Sequence, residues 1–316
     1  MSDPTDRSDP TDSPAKGSAA DATTAAATVA FVAHRNLLFT VAYEILGSAV
    51  DAEDVLQETW LRWVDVDLDS VREPRAYLVR IATRQALNRL RSLERRREDY
   101  VGQWLPEPLL TSPDVAEDAV LADSISMALM VVLESLSPTE RAVFVLHETF
   151  GFTHPEIAEA VDRSPAAVRQ IAHRAREHVT ERRPHHHSDP AEARRALEAF
   201  ALTVETGDLQ ALMDVLAPDV VVLADGGGVK QAVPNAVRGA EKVARLFLGG
   251  LRKVEGVLAA HPTVINGHPA LSITLDGELD GIFSARVQDG RIVGIYYMRN
   301  PEKLSHLTTT TALARR

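Results

Sequence analysis

Apolar residues recur at helical spacing from Val29 onward. In FVAHRNLLFTVAYEILG (31–47), Phe31, Leu38, Ala42 and Ile45 share one face, and Gly47 is a stop signal. DAEDVLQETWLRWV (51–64) predicts a second helix, with Asp51 placed to cap it and acids at 53 and 54 suited to its positive end. A third opens at Glu73-Pro74, proline being tolerated in a first turn, and carries Leu78, Ile81, Ala82, Ala86, Leu90 and Leu93 as an apolar stripe. Periodicity lapses in VGQWLPEPLLTSPD (101–114), an extended segment with one large aromatic, Trp104, and helix returns near 115–135. Ser137-Pro-Thr-Glu140 and Thr153-His-Pro-Glu156 read as capping boxes. Asp162-Arg163 is a short turn. Ser164-Pro165 then starts AAVRQIAHRAREHV (166–179), with Val168, Ile171, Ala172, Ala175 and Val179 as its buried stripe.

After RRPHHHSDP (182–190) the pattern changes. Two helices broken at Gly207-Asp208, a strand DVVVLA (219–224), and a helix near 239–253 precede four strand-like runs. Asn266-Gly267, Asp276-Gly277 and Asp289-Gly290 divide those runs, each a hairpin signal. Helices followed by an antiparallel meander indicate an α+β domain. Residues 1–28, rich in Asp, Pro, Ser, Thr and Ala, are expected to be a disordered tail.

A length of 316 residues allows two or three domains. The absence of cysteine excludes disulfides, thiolate catalysis and Cys-ligated metal sites. No apolar run is expected to reach bilayer length and no signal peptide is evident, so the reading is cytoplasmic, with no membrane partner. A net charge of −11 argues against nucleic acid. The charge is segregated, however. Residues 72–97 hold nine Arg against two Glu, 163–183 hold six Arg against two Glu, and 98–140 hold nine acids with no Lys or Arg.

Arg80, Arg84, Asn88, Arg91 and Arg95 fall on one face of the third helix, away from its apolar stripe. Such a face tracks phosphates, or is simply a solvated basic surface. Helices 154–161 and 164–179 read as a helix-turn-helix, with Arg169, Gln170, His173, Arg174 and Arg176 off the stripe and able to reach base edges. An αα-hairpin inside a bundle is the bland alternative. Acids at 51, 53, 54 and 58 beside Trp60 and Trp63 suggest a protein-binding helix, or two tryptophans buried in a bundle. Gly226-Gly227-Gly228 with Lys230 reads as a turn rather than a phosphate loop, and His185-His186-His187 as a solvated linker rather than a metal site. No cofactor or metal is expected.

DAEDVLQETWLRW, EPRAYLVRIATRQALNRLRS and LSPTERAVFVLHETFGFTHPEIAEAVDRSPAAVRQIAHRAREH, in that order, resemble a bacterial sigma factor of the extracytoplasmic-function type. The resemblance implies a helix that docks on the β′ subunit of core RNA polymerase (β being a further partner), through Asp54, Val55, Leu56, Gln57, Glu58 and Trp60. It implies that Arg80, Arg84, Asn88, Arg91 and Arg95 meet the −10 element of promoter DNA. Ser164, Ala166, Ala167, Arg169, Gln170, His173, Arg174 and Arg176 would meet the −35 element. WLPEP (Trp104, Leu105, Pro106, Glu107, Pro108), DGGGVKQA (with Asp225, Gly226, Gly227, Gly228 and Lys230) and NPEKL (with Asn300, Pro301, Lys303 and Leu304) resemble the motifs of sigma factors fused to a SnoaL-like domain.

The expected organisation is two all-α sigma domains, a helical bundle (29–97) and a helix-turn-helix (137–183), joined by an acidic linker (98–136). A second linker (184–190), an α+β SnoaL-like cone (191–304) and a tail (305–316) follow. The resemblance implies that the cone modulates the sigma activity in cis, without turnover. One alternative is a cone that binds or converts a small-molecule ligand, with Asp225, His261, His268 and Tyr296 as candidate acid/base groups. Another is a polymerase-independent regulator using the helix-turn-helix alone.

Overall fold

The computed structural model describes residues 15–97, 100–182 and 189–315. The first 14 residues of the expected tail and His185–His187 lie outside the described residues, as does the side chain of Arg95.

Three helices, α1 (Ala15–Leu46), α2 (Ala49–Trp63) and α3 (Pro74–Arg97), pack around the apolar stripes read from the sequence. The expected tail is corrected in part, because α1 begins at Ala15. Its alanines favour helix, and Ala27 is buried, its carbonyl accepting a 2.9 Å hydrogen bond from Trp63 Nε1. The expectation of no span-length apolar run is also corrected, since Thr23–Leu46 is long and apolar enough to cross a membrane by length and composition. Here Leu37, Leu38, Val41, Ala42 and Ile45 of that segment are buried in the helical core.

The linker runs extended to residue 112, then forms a short 3₁₀ turn and two helices, α4 (Ala119–Ser124) and α5 (Met127–Leu133). Both capping boxes are present. They open α6 (Pro138–Phe144), which continues into a π-helical turn (Val145–Thr149), and α7 (His154–Val161). Asp162, in the left-handed region at φ 55°, ends α7 and turns the chain into α8 (Pro165–Arg182). One continuous apolar cluster joins α1–α3 with the linker helices and α6–α8. The two helical modules and the linker therefore share a core.

The C-terminal domain begins with α9 (Pro190–Thr206) and α10 (Leu209–Val215), separated at Gly207-Asp208. A six-stranded sheet follows: β1 (Leu216–Asp225), β2 (Val237–Arg238), then, after α11 (Ala240–Leu251), β3 (Leu258–Ile265), β4 (His268–Leu275), β5 (Glu278–Gln288) and β6 (Arg291–Met298). The order is β2-β1-β6-β5-β4-β3. All three predicted Asx-Gly turns connect β3–β6, with positive φ at both residues, the twist that two-residue hairpins require. The meander covers those four strands; β1 departs from it by pairing parallel to β6. A short helix, α12 (Pro301–Leu304), and an extended segment to residue 315 complete the chain.

Candidate nucleic-acid interface and interdomain clamp

The two basic ridges have different surroundings. On α3, Arg80 Nη1 lies 2.8 Å from Glu159 Oε2 of α7, and Arg84 Nη2 donates to the Glu159 carbonyl at 2.7 Å. Arg75, on the same helix, sits over the Phe152 ring at 4.6 Å. Asn88 and Arg91 are exposed. On α8, Ser164, Ala166, Arg169, Gln170, His173, Arg174 and Arg176 are exposed, and Ala167 is half-buried, its N–H donating to Ser164 Oγ at 3.2 Å. Arg176 and Arg174 do pair with Glu148 and Glu140, at 2.5 and 3.8 Å, but over exposed surface. Burial, the nearby His147 and the Arg169 and Arg176 cations lower the pKa of His154, at the start of α7.

The acidic helix α2 is amphipathic by its own spacing. Ala52, Val55, Leu56, Thr59 and Trp63 recur every three or four residues and face the core. Val55 and Leu56 are thus corrected as surface contacts, and Trp63 is wholly buried. Gln57 and Glu58 are exposed. Asp54 is half-exposed, bound with Asp51 to Arg89, and Trp60 is partly covered by Phe31 with ring centres 5.3 Å apart.

The three C-terminal motifs converge. The Lys303 ammonium, nearly inaccessible, lies 2.8 Å from Asp225 Oδ2 and donates to the Leu105 carbonyl at 2.6 Å. It sits 3.2 Å from the centre of the Trp104 ring. Asp225, fully buried, also accepts from Leu105 N–H at 3.0 Å and from the Tyr100 hydroxyl at 2.5 Å. Burial and the neighbouring Asp225 raise the pKa of that hydroxyl, so it stays a donor. A low-dielectric pair with every polar atom engaged is the arrangement in which removing one partner is most costly. Leu105 and Leu304 share an apolar cluster with Ile265, Ile282 and Met298.

The turn after β1 is shaped to admit this contact. A Cβ on Gly226 would stand 2.0 Å from the Lys230 carbonyl, and one on Gly227 would stand 2.4 Å from the Asn300 side chain. Gly228 faces Val101 of the linker, and Asn300 donates to the Tyr100 hydroxyl at 2.9 Å. Pro301 is exposed, serving in the first turn of α12. Lys230 is the exception among the motif residues. It pairs with Asp280 of β5 at 2.8 Å, beside Arg299, and not with the linker. Burial alone would raise the Asp280 pKa, but the hydrogen bonds from Arg299 and Lys230 outweigh it and hold the carboxyl below its usual range.

The rest of WLPEP is clasped from both sides. Pro106 and Pro108 are buried, and Glu107 caps the start of α2, accepting from Ala49 N–H at 2.7 Å. Tyr43 of α1 donates to the Glu107 carbonyl at 2.7 Å. Asn266, at the β3–β4 turn, bonds the Tyr43 hydroxyl (2.8 Å), the Ile125 carbonyl (2.6 Å) and Leu109 N–H (2.7 Å). Tyr43, Tyr100 and Asn266 were not singled out from the sequence. Asn266 signalled only a hairpin, because its other partners are 141–223 residues away.

The four candidate acid/base groups are engaged separately. Asp225 belongs to the clamp, and His268 Nε2 lies 3.0 Å from the Ala122 carbonyl. His261 is exposed on the edge strand β3, and burial raises the pKa of Tyr296 against the opposing effect of Arg286. Among the described residues, no group of three or more His, Cys, Asp or Glu could hold a metal ion.

Residues 30–96 match the family model Sigma-70 region 2, and residues 126–179 match Sigma-70, region 4. The ECF RNA polymerase sigma factor SigJ of Mycobacterium tuberculosis is 37% identical to this chain over 289 residues, spanning 87% of it and 92% of SigJ. A probable ECF RNA polymerase sigma factor of the same species, SigI, is 31% identical, spanning 88% of this chain and 94% of its own length. The crystal structure of SigJ aligns with a TM-score of 0.70 at 35% identity, covering 87% of this chain and 98% of that one.

Proposed function

Because this chain belongs to the ECF RNA polymerase sigma factors, which direct core polymerase to promoters, we propose that its compact form is a closed state held by the C-terminal domain. The observation that carries this reading is the buried Asp225–Lys303 pair closing on the linker between the two DNA-facing modules. While the linker is clasped, Glu159 stays on Arg80 and Arg84 and competes for them with the −10 strands. Opening would free phosphate-matching guanidinium forks on α3 and uncap α2, which offers Asp54, Gln57, Glu58 and Trp60 to polymerase. The α8 ridge, with Arg169 and Gln170 at its start, would enter a major groove at −35. Such a factor acts in the bacterial cytoplasm, and this role needs no chemical turnover by the chain. A small-molecule ligand of the cone is not required by it.

Run-off transcription with core polymerase and a cognate promoter tests the reading. The full chain should support a promoter-dependent transcript. A chain cut after Pro184 should give a different level, higher if the C-terminal domain only restrains. Equal activity of the two would contradict cis modulation, and no transcript from either would contradict the initiation role.

A further inference from the structure

We infer that Glu44 is an ionisation-operated latch between α1, the linker and the second DNA-facing module, holding the closed state as a neutral acid and releasing it as a carboxylate. This rests on the reading of the compact form as closed. Glu44 lies in the middle of the shared core at 1% exposure. Its Oε1 is 2.7 Å from Ser124 Oγ of α4, and its Oε2 is 3.0 Å from Thr149 Oγ1 of the π-helical turn. One side chain therefore joins three segments that must part when the modules separate.

The surroundings favour a proton on the carboxyl, which is withdrawn from water with only two hydroxyls bonded to it. Ser124 Oγ also lies 2.9 Å from the Leu121 carbonyl, which can only accept. A hydroxyl has one hydrogen. Donated to Glu44 Oε1, it serves either form of the carboxyl; donated to Leu121, it leaves the Glu44 contact to a proton on the carboxyl. The other oxygen of a neutral acid still accepts from Thr149. Among the described residues, no ion pair reaches the Glu44 carboxyl. Arg141 donates Nε to the Glu44 backbone carbonyl at 2.8 Å and Nη1 to Glu134 at 2.7 Å, while its buried Nη2 meets no hydrogen-bond acceptor among those residues, and its charge acts on Glu44 only at longer range. The other ionisable groups around it are Asp123 of α4, Tyr43 of α1 and, beyond Tyr43, Glu107 of the linker.

Burial pushes the Glu44 pKa up to about 8, against smaller opposing effects of the two hydroxyls and Arg141. A solvated glutamate titrates near 4.3. Across that window the closed chain holds a proton that an opened chain gives up. Raising the pH should therefore favour opening by up to about tenfold per unit, levelling off above the closed-state pKa, while acid favours closure.

The cysteine-free sequence allows the test on the full chain. Spin labels at Ser92→Cys on α3 and Thr180→Cys on α8, both exposed positions, report the separation of the modules. The open fraction should rise steeply between pH 6 and 8 and flatten above it. Glu44→Gln, which can donate to Ser124 and accept from Thr149 at any pH, should remain closed throughout. A flat profile in the parent chain, or an unchanged one in Glu44→Gln, would overturn the latch. Should Glu44→Gln not fold, carbon-detected titration of Glu44 in the parent chain decides, with a midpoint near 8 supporting the latch and one near 4–5 overturning it. Labels that separate on adding core polymerase but not with pH would remove the latch and leave the closed state standing. Labels that never separate would remove both.

Discussion

The two arginine ridges are alike in composition and differ in where their acidic partners come from. On α3, Arg80 and Arg84 hold an acidic residue of the other module, whereas on α8 Arg174 and Arg176 pair within their own module and Arg169 and Gln170 face solvent. Had all five principal arginines (80, 84, 91, 169 and 174) been tied into internal pairs, the nucleic-acid reading would have failed. Arg91 and Arg169 remain exposed. On the proposed roles, the contrast puts the restraint on α3, which would meet the melted strand, while α8, which would meet duplex, needs no release. It also assigns unequal strengths to what holds the ridge covered. The Arg80–Glu159 pair is exposed and weak by its nature, so on this reading the buried clamp and the shared apolar core contribute more to the arrangement.

The largest expected effect tests the clamp's contribution. Lys303→Met leaves Asp225 without its cation in a buried site and should destabilise the clamp by about 3–5 kcal/mol. Hydrogen exchange should then rise at the linker amides of Leu105 and Glu107 and along the α3–α7 contact. Unchanged protection would mean that the helical core alone keeps the ridge covered. Next in size, Arg169→Ala should weaken binding of −35 duplex by about 1–3 kcal/mol if the side chain reads a base. That loss should be the same with and without Lys303→Met, because α8 is open in both. A loss confined to one background, seen in fluorescence anisotropy, would blur the distinction between the ridges. Smallest is Glu159→Gln, which removes the partner of Arg80 at an exposed pair and should favour opening by roughly 0.2–1 kcal/mol. It should also reduce the salt sensitivity of opening, whereas an effect as large as that of Lys303→Met would transfer the restraint from the clamp to the ridge itself.

What was legible in the sequence was local. The three Asx-Gly turns, both capping boxes and the Gly207-Asp208 break are read within four or five residues, and each forms as expected. The apolar stripes of α3 and α8 follow from helical periodicity alone. For α2 the spacing of Val55, Leu56 and Trp63 already pointed inward, yet a reading by family likeness made Val55 and Leu56 surface contacts. The motifs at 104–108, 225–232 and 300–304 were legible as motifs, but their geometry was not. Nothing near Lys303 in the chain announces Asp225 or Trp104, and Lys230, equally basic, pairs elsewhere. Composition alone does not mark residues 15–28 as helix, because Trp63, whose indole holds the buried Ala27, lies 36 residues further on.

The central claim is that the free chain keeps α3 against α7 and that engagement of polymerase parts them. The most direct measurement is the distance between labels at Ser92→Cys and Thr180→Cys in the free chain and in its complex with core polymerase, at constant pH. One short, narrow distribution that lengthens and stays long in the complex is the predicted result. A long or broad distribution in the free chain, or the same short distance in both, would contradict the account.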